Sequence, residues 1–384
     1  MINPRLHNVH ISGIRVIAGL AEKDPDVINL TMGQPDFPTP EYIKEAGVKA
    51  IQNNMTAYTN TAGMIELREA ASRYMNRKYG FSYRAEDEIL ITSGASQGID
   101  LALRTILEEG SEVIIPAPFF PSYEPGTTLS GAVPVYIDTA PNGFKVNADM
   151  IKEKLTDKTR CVILSYPSNP TGRTLSEQEI YDIADLLKDK NVYVLSDEIY
   201  SELLYDKQHF SIGSIPEMKE KSIILNGLSK SHAMTGWRLG MAMAPAKIIS
   251  EMTKLQLYST TCASSISQYA ALEALTKETG DLDSMQSEYK KRRDYMYDRL
   301  IKMGLKVSKP EGAFYIFPSI KEFGYQSMDF ALKLLEEEKV AVVPGDAFSR
   351  YGEGYIRISY ASSMEKLSEG ADRLERFVKR TVTV

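Results

Sequence analysis

A lysine and an arginine eight residues apart, Lys230 and Arg238, are the first candidates for chemistry in this sequence. Lys230 follows the apolar segment Ser222–Asn226 after a Gly-Leu-Ser turn, which puts it beyond the end of a predicted strand. A lysine that lies near a fixed cation and partly out of water loses its proton more readily, and its free amine then forms Schiff bases. The alternative is a solvated surface charge, as most lysines are.

Three polar residues follow two other predicted strands. Asp197 comes directly after Val192–Ser196, Tyr200 comes three residues later, and Asn169 lies in a Ser-Asn-Pro-Thr-Gly segment. Alone, they are typical of a helix N-cap, a half-buried tyrosine and a plain turn. Together they suit a pyridine ring, with a carboxylate facing the ring nitrogen and the other two side chains facing its phenolic oxygen.

Other candidate residues could bind a phosphate group and stack on a flat ring. Ala95 and Ser96 open a predicted helix after Gly94, and the N–H groups and dipole of a helix N-terminus attract phosphate. Arg238 would add a charge-assisted hydrogen bond, and Phe120 could stack on the ring. Taken singly, the Gly-Ala-Ser turn is an ordinary strand-to-helix connection and Phe120 an ordinary core residue.

Arg357 lies within the short strand Gly-Tyr-Ile-Arg-Ile-Ser-Tyr. Period-2 alternation puts it on the opposite face from its isoleucine neighbours, so it is either a solvent-facing arginine on a half-exposed strand or a fork that grips a substrate carboxylate. Together, these candidates supply the parts that pyridoxal-5′-phosphate (PLP) catalysis requires. The parts are a nucleophilic lysine, an acid for the ring nitrogen, partners for the phenolic oxygen, a phosphate-binding site and a carboxylate-binding arginine.

The elements that must position these residues alternate between strands and helices, which predicts an α/β fold with a mainly parallel, seven-stranded sheet between helices. The candidates then gather at the carboxyl ends of the strands, where ligands bind in such sheets. The predicted strands of this sheet are Glu88–Thr92, Glu112–Pro116, Val133–Ile137, Arg160–Ser165, Val192–Ser196, Ser222–Asn226 and Arg238–Ala244. Helices are predicted over Gln97–Glu108 and over Ser176–Lys188, where Ser176 and Glu179 form a capping-box signature.

In the remaining chain, short predicted strands alternate with longer predicted helices, which predicts a smaller α+β domain. We expect the large domain over residues 46–280 and the small domain over residues 1–45 and 281–384. The predicted elements of the small domain are helices at Gln286–Met303, Ser327–Glu338 and Met364–Lys379, and strands at Ala313–Phe317, Val340–Val343 and Tyr355–Ser359.

Composition excludes several classes of protein. The chain has 384 residues, 43% of them hydrophobic and 25% charged, and a net charge of -6, so it is expected to be globular and to repel nucleic acid. The two cysteines and four histidines show no metal-ligand spacing, so no metal is expected. No signal-peptide core or membrane span is visible, and cysteine is sparse, so a cytoplasmic protein is expected.

At these residues the sequence resembles the class-I/II aminotransferases, the fold-type I PLP enzymes, over nearly its whole length. The most diagnostic segments are 168–172 (Ser-Asn-Pro-Thr-Gly), 196–200 (Ser-Asp-Glu-Ile-Tyr) and the run from Ser229-Lys230 to Gly236-Trp237-Arg238-Leu239-Gly240; segments 31–37 and 58–63 add to them. Two positions depart from common patterns. Gly227 stands where many relatives have a phosphate-binding serine, and Ser96 stands where some aspartate-using relatives carry a lysine, which weakens a simple assignment to aspartate.

The resemblance implies a role for each candidate. Lys230 holds the cofactor as a Schiff base and moves the substrate proton, Asp197 pairs with the ring nitrogen, and Asn169 and Tyr200 hold the phenolic oxygen. The remaining implied roles are ring stacking by Phe120, phosphate binding by Ala95, Ser96, Ser229 and Arg238, α-carboxylate binding by Gly33, Asn169 and Arg357, and contact by Tyr58 with the phosphate in a neighbouring subunit. The last role implies a homodimer with shared active sites.

The implied reaction moves the amino group of an amino acid to a 2-oxo acid, with 2-oxoglutarate and glutamate as one pair. Within the family, the sequence looks close to members proposed to act on N-acetyl-LL-diaminopimelate in lysine synthesis. A PLP-dependent β-lyase on the same fold, or specificity for aspartate or aromatic amino acids, stays open. A DNA-binding regulator built on this domain would need an added basic module, and the sequence shows no basic segment of that kind. A nicotinamide dehydrogenase would carry a Gly-x-Gly-x-x-Gly segment after the first strand of the sheet, and none follows it here.

Overall fold

The computed structural model describes residues 2–9, 13–277 and 279–382. Its strands are β1 (Ile28–Asn29), β2 (Ile89–Thr92), β3 (Glu112–Ala117), β4 (Val133–Asp138), β5 (Thr159–Ser165), β6 (Tyr193–Asp197), β7 (Ser222–Gly227), β8 (Gly240–Met243), β9 (Tyr315–Ile316), β10 (Val340–Ala341), β11 (Val343–Pro344) and β12 (Ile356–Ser359). Its α-helices are α1 (Gly13–Ala21), α2 (Glu41–Gln52), α3 (Ile65–Tyr79), α4 (Ala95–Ile106), α5 (Tyr123–Leu129), α6 (Ala148–Lys152), α7 (Glu177–Leu187), α8 (Leu228–Ser231), α9 (Ala246–Ser259), α10 (Ser265–Thr276), α11 (Asp281–Lys302), α12 (Ser327–Glu338) and α13 (Met364–Val382).

The seven strands β2 to β8 form one sheet in the order β2-β8-β7-β6-β5-β3-β4. Neighbouring strands are parallel except for β8, which is antiparallel to β2 and β7. This confirms the predicted α/β fold with a mainly parallel, seven-stranded sheet. The parallel strands all end at one edge, so the loops after β3, β5, β6 and β7 lie side by side.

Helices cover both faces of the large sheet, which explains why its strands read as continuous apolar runs. Alternate residues of β7 show this arrangement. Ile224 packs in a cluster with Met75 of α3, whereas Leu225 packs on the other face with Leu103 of α4. Burial on both faces fixes the register of each strand, because a slip by one residue would exchange the two apolar sets.

The capping box predicted at the start of α7 is present. The Ser176 hydroxyl accepts a hydrogen bond from the Glu179 backbone N–H at 3.2 Å, and the Glu179 carboxylate accepts one from the Ser176 backbone N–H at 2.6 Å. Two N–H groups that the helix itself cannot satisfy are paired in this way.

Most predicted strands agree with the structure to within a residue or two at each end, but three differ for a structural reason. The strand predicted over Ala313–Phe317 is only Tyr315–Ile316, and Ala313 has φ +56°. The strand predicted to begin at Arg238 begins at Gly240, because Arg238 has φ +51°, in the left-handed region that no strand residue adopts. The strand predicted over Val340–Val343 is divided in two. Here β10 pairs with β1 and β11 pairs with β12, so the chain passes from one small sheet to another.

The N-terminal and C-terminal segments share one apolar core. Ile17 of α1 and Leu30 after β1 pack in the same cluster as Phe330 of α12 and Leu367 of α13. The antiparallel sheet β11-β12-β9 lies in this part of the chain and carries Arg357. The domain boundaries at residues 45/46 and 280/281 stay a prediction.

Candidate active site

A cavity of about 410 Å³ lies at the carboxyl ends of the large sheet. All but one of the residues singled out from the sequence line it: Gly33, Ala95, Ser96, Phe120, Asn169, Asp197, Tyr200, Ser229, Lys230, Arg238 and Arg357. They come from the ends of five strands of the large sheet (β2, β3, β5, β6 and β7), from β12 and from the N-terminal segment, so the fold brings together groups more than 300 residues apart in the chain. The cavity is therefore the candidate active site.

Tyr58 is the exception. It lies in the segment between α2 and α3, is 83% exposed, and does not line the cavity. Its implied contact with a neighbouring subunit stays a prediction.

Lys230 lies on α8, the short helix that follows β7. Its Nζ donates a hydrogen bond to the Gly33 carbonyl oxygen at 2.6 Å. Burial, and then the positive charges of Arg238 and Arg357, lower the pKa of the Lys230 ammonium to about 8, whereas the Asp197 carboxylate acts in the opposite direction. Near neutral pH an appreciable fraction of this amine is therefore unprotonated and able to act as a nucleophile or base.

Asp197 is the last residue of β6 and is buried. The helix N-cap expected as the alternative is wrong, because β6 is followed by a turn and not by a helix. One carboxylate oxygen accepts from the Tyr123 hydroxyl at 2.7 Å and the other from the Ile199 backbone N–H at 3.2 Å. Burial raises the pKa of the Asp197 carboxyl, so a positively charged partner in the cavity would favour its ionised form.

Tyr123 was not singled out from the sequence, although it lies three residues after Phe120. Its hydroxyl lies between the Asp197 carboxylate and the Ser165 hydroxyl, 2.8 Å from the latter. Phe120 itself is half-buried and contacts the Tyr123 ring edge-to-face, with a centroid separation of 5.8 Å. Only the position of Tyr123 at the start of α5, one turn beyond the loop after β3, could have indicated this role.

Arg357 is 2% exposed and all four residues of β12 are buried, so the solvent-facing alternative is wrong. Its guanidinium donates to the Asn169 side-chain oxygen at 3.0 Å and to the Thr31 carbonyl at 2.6 Å. It makes no ion pair with any carboxylate among the residues that the structure describes, and its buried Nε–H lacks a hydrogen-bond partner there. A buried cation without an anion is costly, which favours an anionic ligand at this point.

Two aromatic rings lie against the Arg357 guanidinium. The guanidinium carbon lies 4.3 Å from the centroid of the Tyr315 ring and 5.0 Å from that of Phe348. The Tyr315 hydroxyl lies 2.8 Å from the Tyr200 hydroxyl. Tyr315 is a second residue that sequence reasoning missed, because its neighbours in the chain are apolar and it reads as a core position of β9.

The opposite end of the cavity suits a phosphate. Gly94 has φ +81° and precedes α4, whose first N–H groups have no acceptor within the helix. The Arg238 guanidinium lies against Gly94, since a Cβ at that position would come within 2.5 Å of Nη2. Arg238 also donates to the Thr235 carbonyl at 3.2 Å. A helix N-terminus and a guanidinium facing one space are two independent attractions for an anion.

These groups fit PLP. The cavity offers an amine for the aldehyde, a carboxylate for the ring nitrogen, an aromatic ring for stacking, and a guanidinium with a helix N-terminus for the phosphate. The unpaired Arg357 then stays available for a substrate carboxylate. No group of three or more metal-binding side chains is found in the described part of the chain, and none of its helices has the length and apolar character needed to cross a membrane.

Comparison with known proteins gives the same assignment. Residues 25–374 match the family model for aminotransferase class I and II. The chain is 56% identical over 378 residues to a probable N-acetyl-LL-diaminopimelate aminotransferase of Bacillus subtilis, covering 98% of this chain and 96% of that protein.

Solved structures are also similar. An aromatic aminotransferase from Pyrococcus horikoshii is 42% identical, with a TM-score of 0.91, over 96% of this chain and 100% of that one. An aspartate aminotransferase from Thermus thermophilus, solved with maleate, is 34% identical, with a TM-score of 0.94, over 98% and 99% of the two chains. The fold, the enzyme class and the PLP cofactor expected from the sequence are thereby confirmed. The chain belongs to the class I and II aminotransferases, enzymes that use PLP to move an amino group between an amino acid and a 2-oxo acid.

Proposed function

We propose that this enzyme transfers an amino group between N-acetyl-LL-diaminopimelate and 2-oxoglutarate, in lysine synthesis. The substrate is supported by the name of the Bacillus subtilis relative, which is 56% identical over almost the full length of both chains. The reaction class is supported by one observation above the others, the buried Arg357 that has no carboxylate partner among the described residues. An amino-acid substrate would supply that partner with its α-carboxylate.

The cofactor-binding roles follow from the donor set. Arg238, Ser229 and the N-terminus of α4 at Ala95 and Ser96 would hold the phosphate, and Phe120 would cover one face of the ring. Asp197, held by Tyr123, would face the ring nitrogen and keep it protonated. When bound, PLP accepts the electron pair that remains on the substrate when its Cα proton leaves.

Lys230 would act twice. Its amine would hold PLP until an amino acid takes that place, and the freed amine would then be the base that removes the Cα proton. A pKa of about 8 leaves enough unprotonated amine for this task near neutral pH. The Gly33 carbonyl, 2.6 Å from Nζ, gives the released amine a hydrogen-bond acceptor. The same amine would then deliver the proton to the cofactor carbon that is bonded to the amino nitrogen, so one residue would serve both transfers.

We further infer that the enzyme is a cytoplasmic homodimer with active sites shared between subunits. The support for a dimer is a run of exposed apolar side chains. Val48 and Ile51 lie one helical turn apart on α2 and are 51% and 54% exposed, and Met55 and Tyr58 follow at 46% and 83%. Clustered apolar exposure of this kind is typical of a subunit interface. Light scattering would measure the mass in solution, and a mass of one chain would refute this part.

The experiment for the substrate is a donor and acceptor screen on the purified enzyme. N-acetyl-LL-diaminopimelate, aspartate and phenylalanine are compared as donors to 2-oxoglutarate by glutamate formation. The highest kcat/KM is expected for the first of them, and a higher value for aspartate or phenylalanine would refute the proposal. A β-lyase would instead release ammonia from a sulfur amino acid without any 2-oxo acid.

The lysine is tested separately. Borohydride reduction of the yellow enzyme should fix the chromophore to the peptide that contains Lys230. The Lys230→Ala variant should fold, take up no label and lose turnover. A label on another peptide would refute the site assignment while leaving the substrate proposal to the screen.

A further inference from the structure

Tyr315 contacts both halves of the candidate active site, although no role in the reaction has been given to it above. It lies on β9 and is fully buried. Its hydroxyl lies 2.8 Å from that of Tyr200, on the cofactor side, and its ring lies 4.3 Å from the Arg357 guanidinium, on the substrate side. One side chain therefore joins the residue that would hold the phenolic oxygen to the residue that would hold the α-carboxylate.

Proton counting decides the direction of the hydrogen bond between the two tyrosines. Each phenol has one proton to donate. Burial raises the pKa of both Tyr200 and Tyr315, so both stay protonated. If Tyr200 donates its proton into the cavity, it has none left for Tyr315, and Tyr315 must be the donor in the 2.8 Å contact. If Tyr315 did not donate, Tyr200 could turn its proton away from the cavity.

We propose that Tyr315 is a positioning residue, whose hydroxyl donates to Tyr200 and so directs the Tyr200 proton into the cavity, while its ring holds the Arg357 guanidinium. This inference rests on the proposed function, because it assumes that Tyr200 faces a phenolic oxygen of bound PLP. The hydroxyl and the ring do separate tasks, so two substitutions separate them. Tyr315→Phe removes the hydroxyl and keeps the ring, and Tyr315→Leu removes both.

The hydroxyl is tested by the pH at which the visible absorbance of the cofactor-loaded enzyme changes. A hydrogen bond donated to the phenolic oxygen stabilises its negative charge and lowers this pH midpoint. Tyr315→Phe is expected to raise the midpoint by roughly 0.5 to 1 pH unit, the size of one hydrogen bond. Tyr200→Phe should raise it at least as much, and the double variant should match Tyr200→Phe alone, because Tyr315 acts only through Tyr200.

The ring is tested by the binding of maleate, an unreactive dicarboxylate, and by KM for the amino donor. Tyr315→Phe should leave both nearly unchanged. Tyr315→Leu should weaken maleate binding roughly tenfold, since a desolvated cation–ring contact is lost. Tyr360→Phe is the matched control for both readouts. Tyr360 is another fully buried tyrosine, but its hydroxyl bonds the Ala313 carbonyl at 3.2 Å and does not line the cavity.

Three results would overturn the inference. The first is an unchanged midpoint in Tyr315→Phe when Tyr200→Phe shifts it. The second is a shift in Tyr315→Phe that adds to that of Tyr200→Phe, which would mean a general effect on the fold. The third is a shift of equal size in Tyr360→Phe. A wild-type enzyme that forms no yellow chromophore would refute the proposed function itself, so the two failures are distinguishable.

Discussion

Replacement of Arg357 by methionine tests the substrate side of the site most directly. Methionine fills a similar volume beside Tyr315 and Phe348 but carries no charge. Two of the guanidinium N–H groups bond Asn169 and Thr31, and the buried Nε–H has no partner among the described residues, so donors remain for a ligand. Arg357→Met removes those donors together with the positive charge that a substrate carboxylate would need.

The expected loss follows from the hydrogen bonds involved. A hydrogen bond to a charged group contributes about 1.5 to 3 kcal/mol, so two such bonds to a carboxylate contribute about 3 to 6 kcal/mol. We therefore expect kcat/KM for every amino-acid donor to fall by roughly 10²- to 10⁴-fold, since each 1.4 kcal/mol is a factor of about ten. The loss should be similar for donors with different side chains, because all share the α-carboxylate.

The assays are steady-state kinetics and ligand-induced thermal stabilisation. Maleate at one hundred times its Kd stabilises the folded protein by about 2.7 kcal/mol, which for a chain of this length raises Tm by about 3 °C. Arg357→Met should lose this shift. The control is Arg293→Met, which removes an equally buried arginine that is already paired with Asp206 at 2.9 Å. It should lower Tm and keep the maleate shift.

The reasoning would be refuted if Arg357→Met kept the full maleate shift, or if its kcat/KM fell by less than about fivefold. Either outcome would mean that the carboxylate is held elsewhere. A loss confined to one donor would instead connect Arg357 to side-chain recognition.

The remaining predictions concern the cofactor side of the site. The rate at which the enzyme without cofactor captures PLP should rise with pH through a midpoint near 8, the pKa of the Lys230 ammonium, because only the free amine reacts; a midpoint near the ordinary value of 10.5 would contradict the burial argument. Gly94→Ala should weaken PLP binding at least tenfold, since a Cβ there would come within 2.5 Å of Arg238. The control is Gly80→Ala, because Gly80 also has a positive φ, +75°, but an added Cβ there would meet nothing within 4 Å. Gly80→Ala should lower stability and leave PLP affinity unchanged, and equal PLP affinities in the two variants would count against the predicted phosphate-binding site. Tyr123→Phe should lower cofactor affinity and raise the pKa of the buried carboxyl that it bonds, as read from the pH dependence of PLP binding; unchanged affinity and pH dependence would show that this hydroxyl has no positioning role.

The fold, and most of the residues that line the candidate site, could be predicted from the sequence. Continuous apolar runs bounded by turn residues indicate strands buried on both faces, and the order of strands and helices then fixes a parallel sheet. Polar residues at strand ends, such as Asp197 and Lys230, must meet at one edge of such a sheet, whatever the details of packing. These predictions succeed because the pattern of each strand is set by residues adjacent in sequence, and the order of the elements along the chain is enough to place the strand ends at one edge.

Only the tertiary structure decided how those residues are held. Whether Arg357 faces solvent or the cavity depends on the Tyr315 and Phe348 rings that pack against it, and alternation along β12 left both alternatives open. The bonds of Tyr123 to Asp197 and of Tyr315 to Tyr200 join residues 74 and 115 positions apart. No local periodicity encodes such contacts, because they form only when separate elements pack together and bury their hydroxyl groups beside each other.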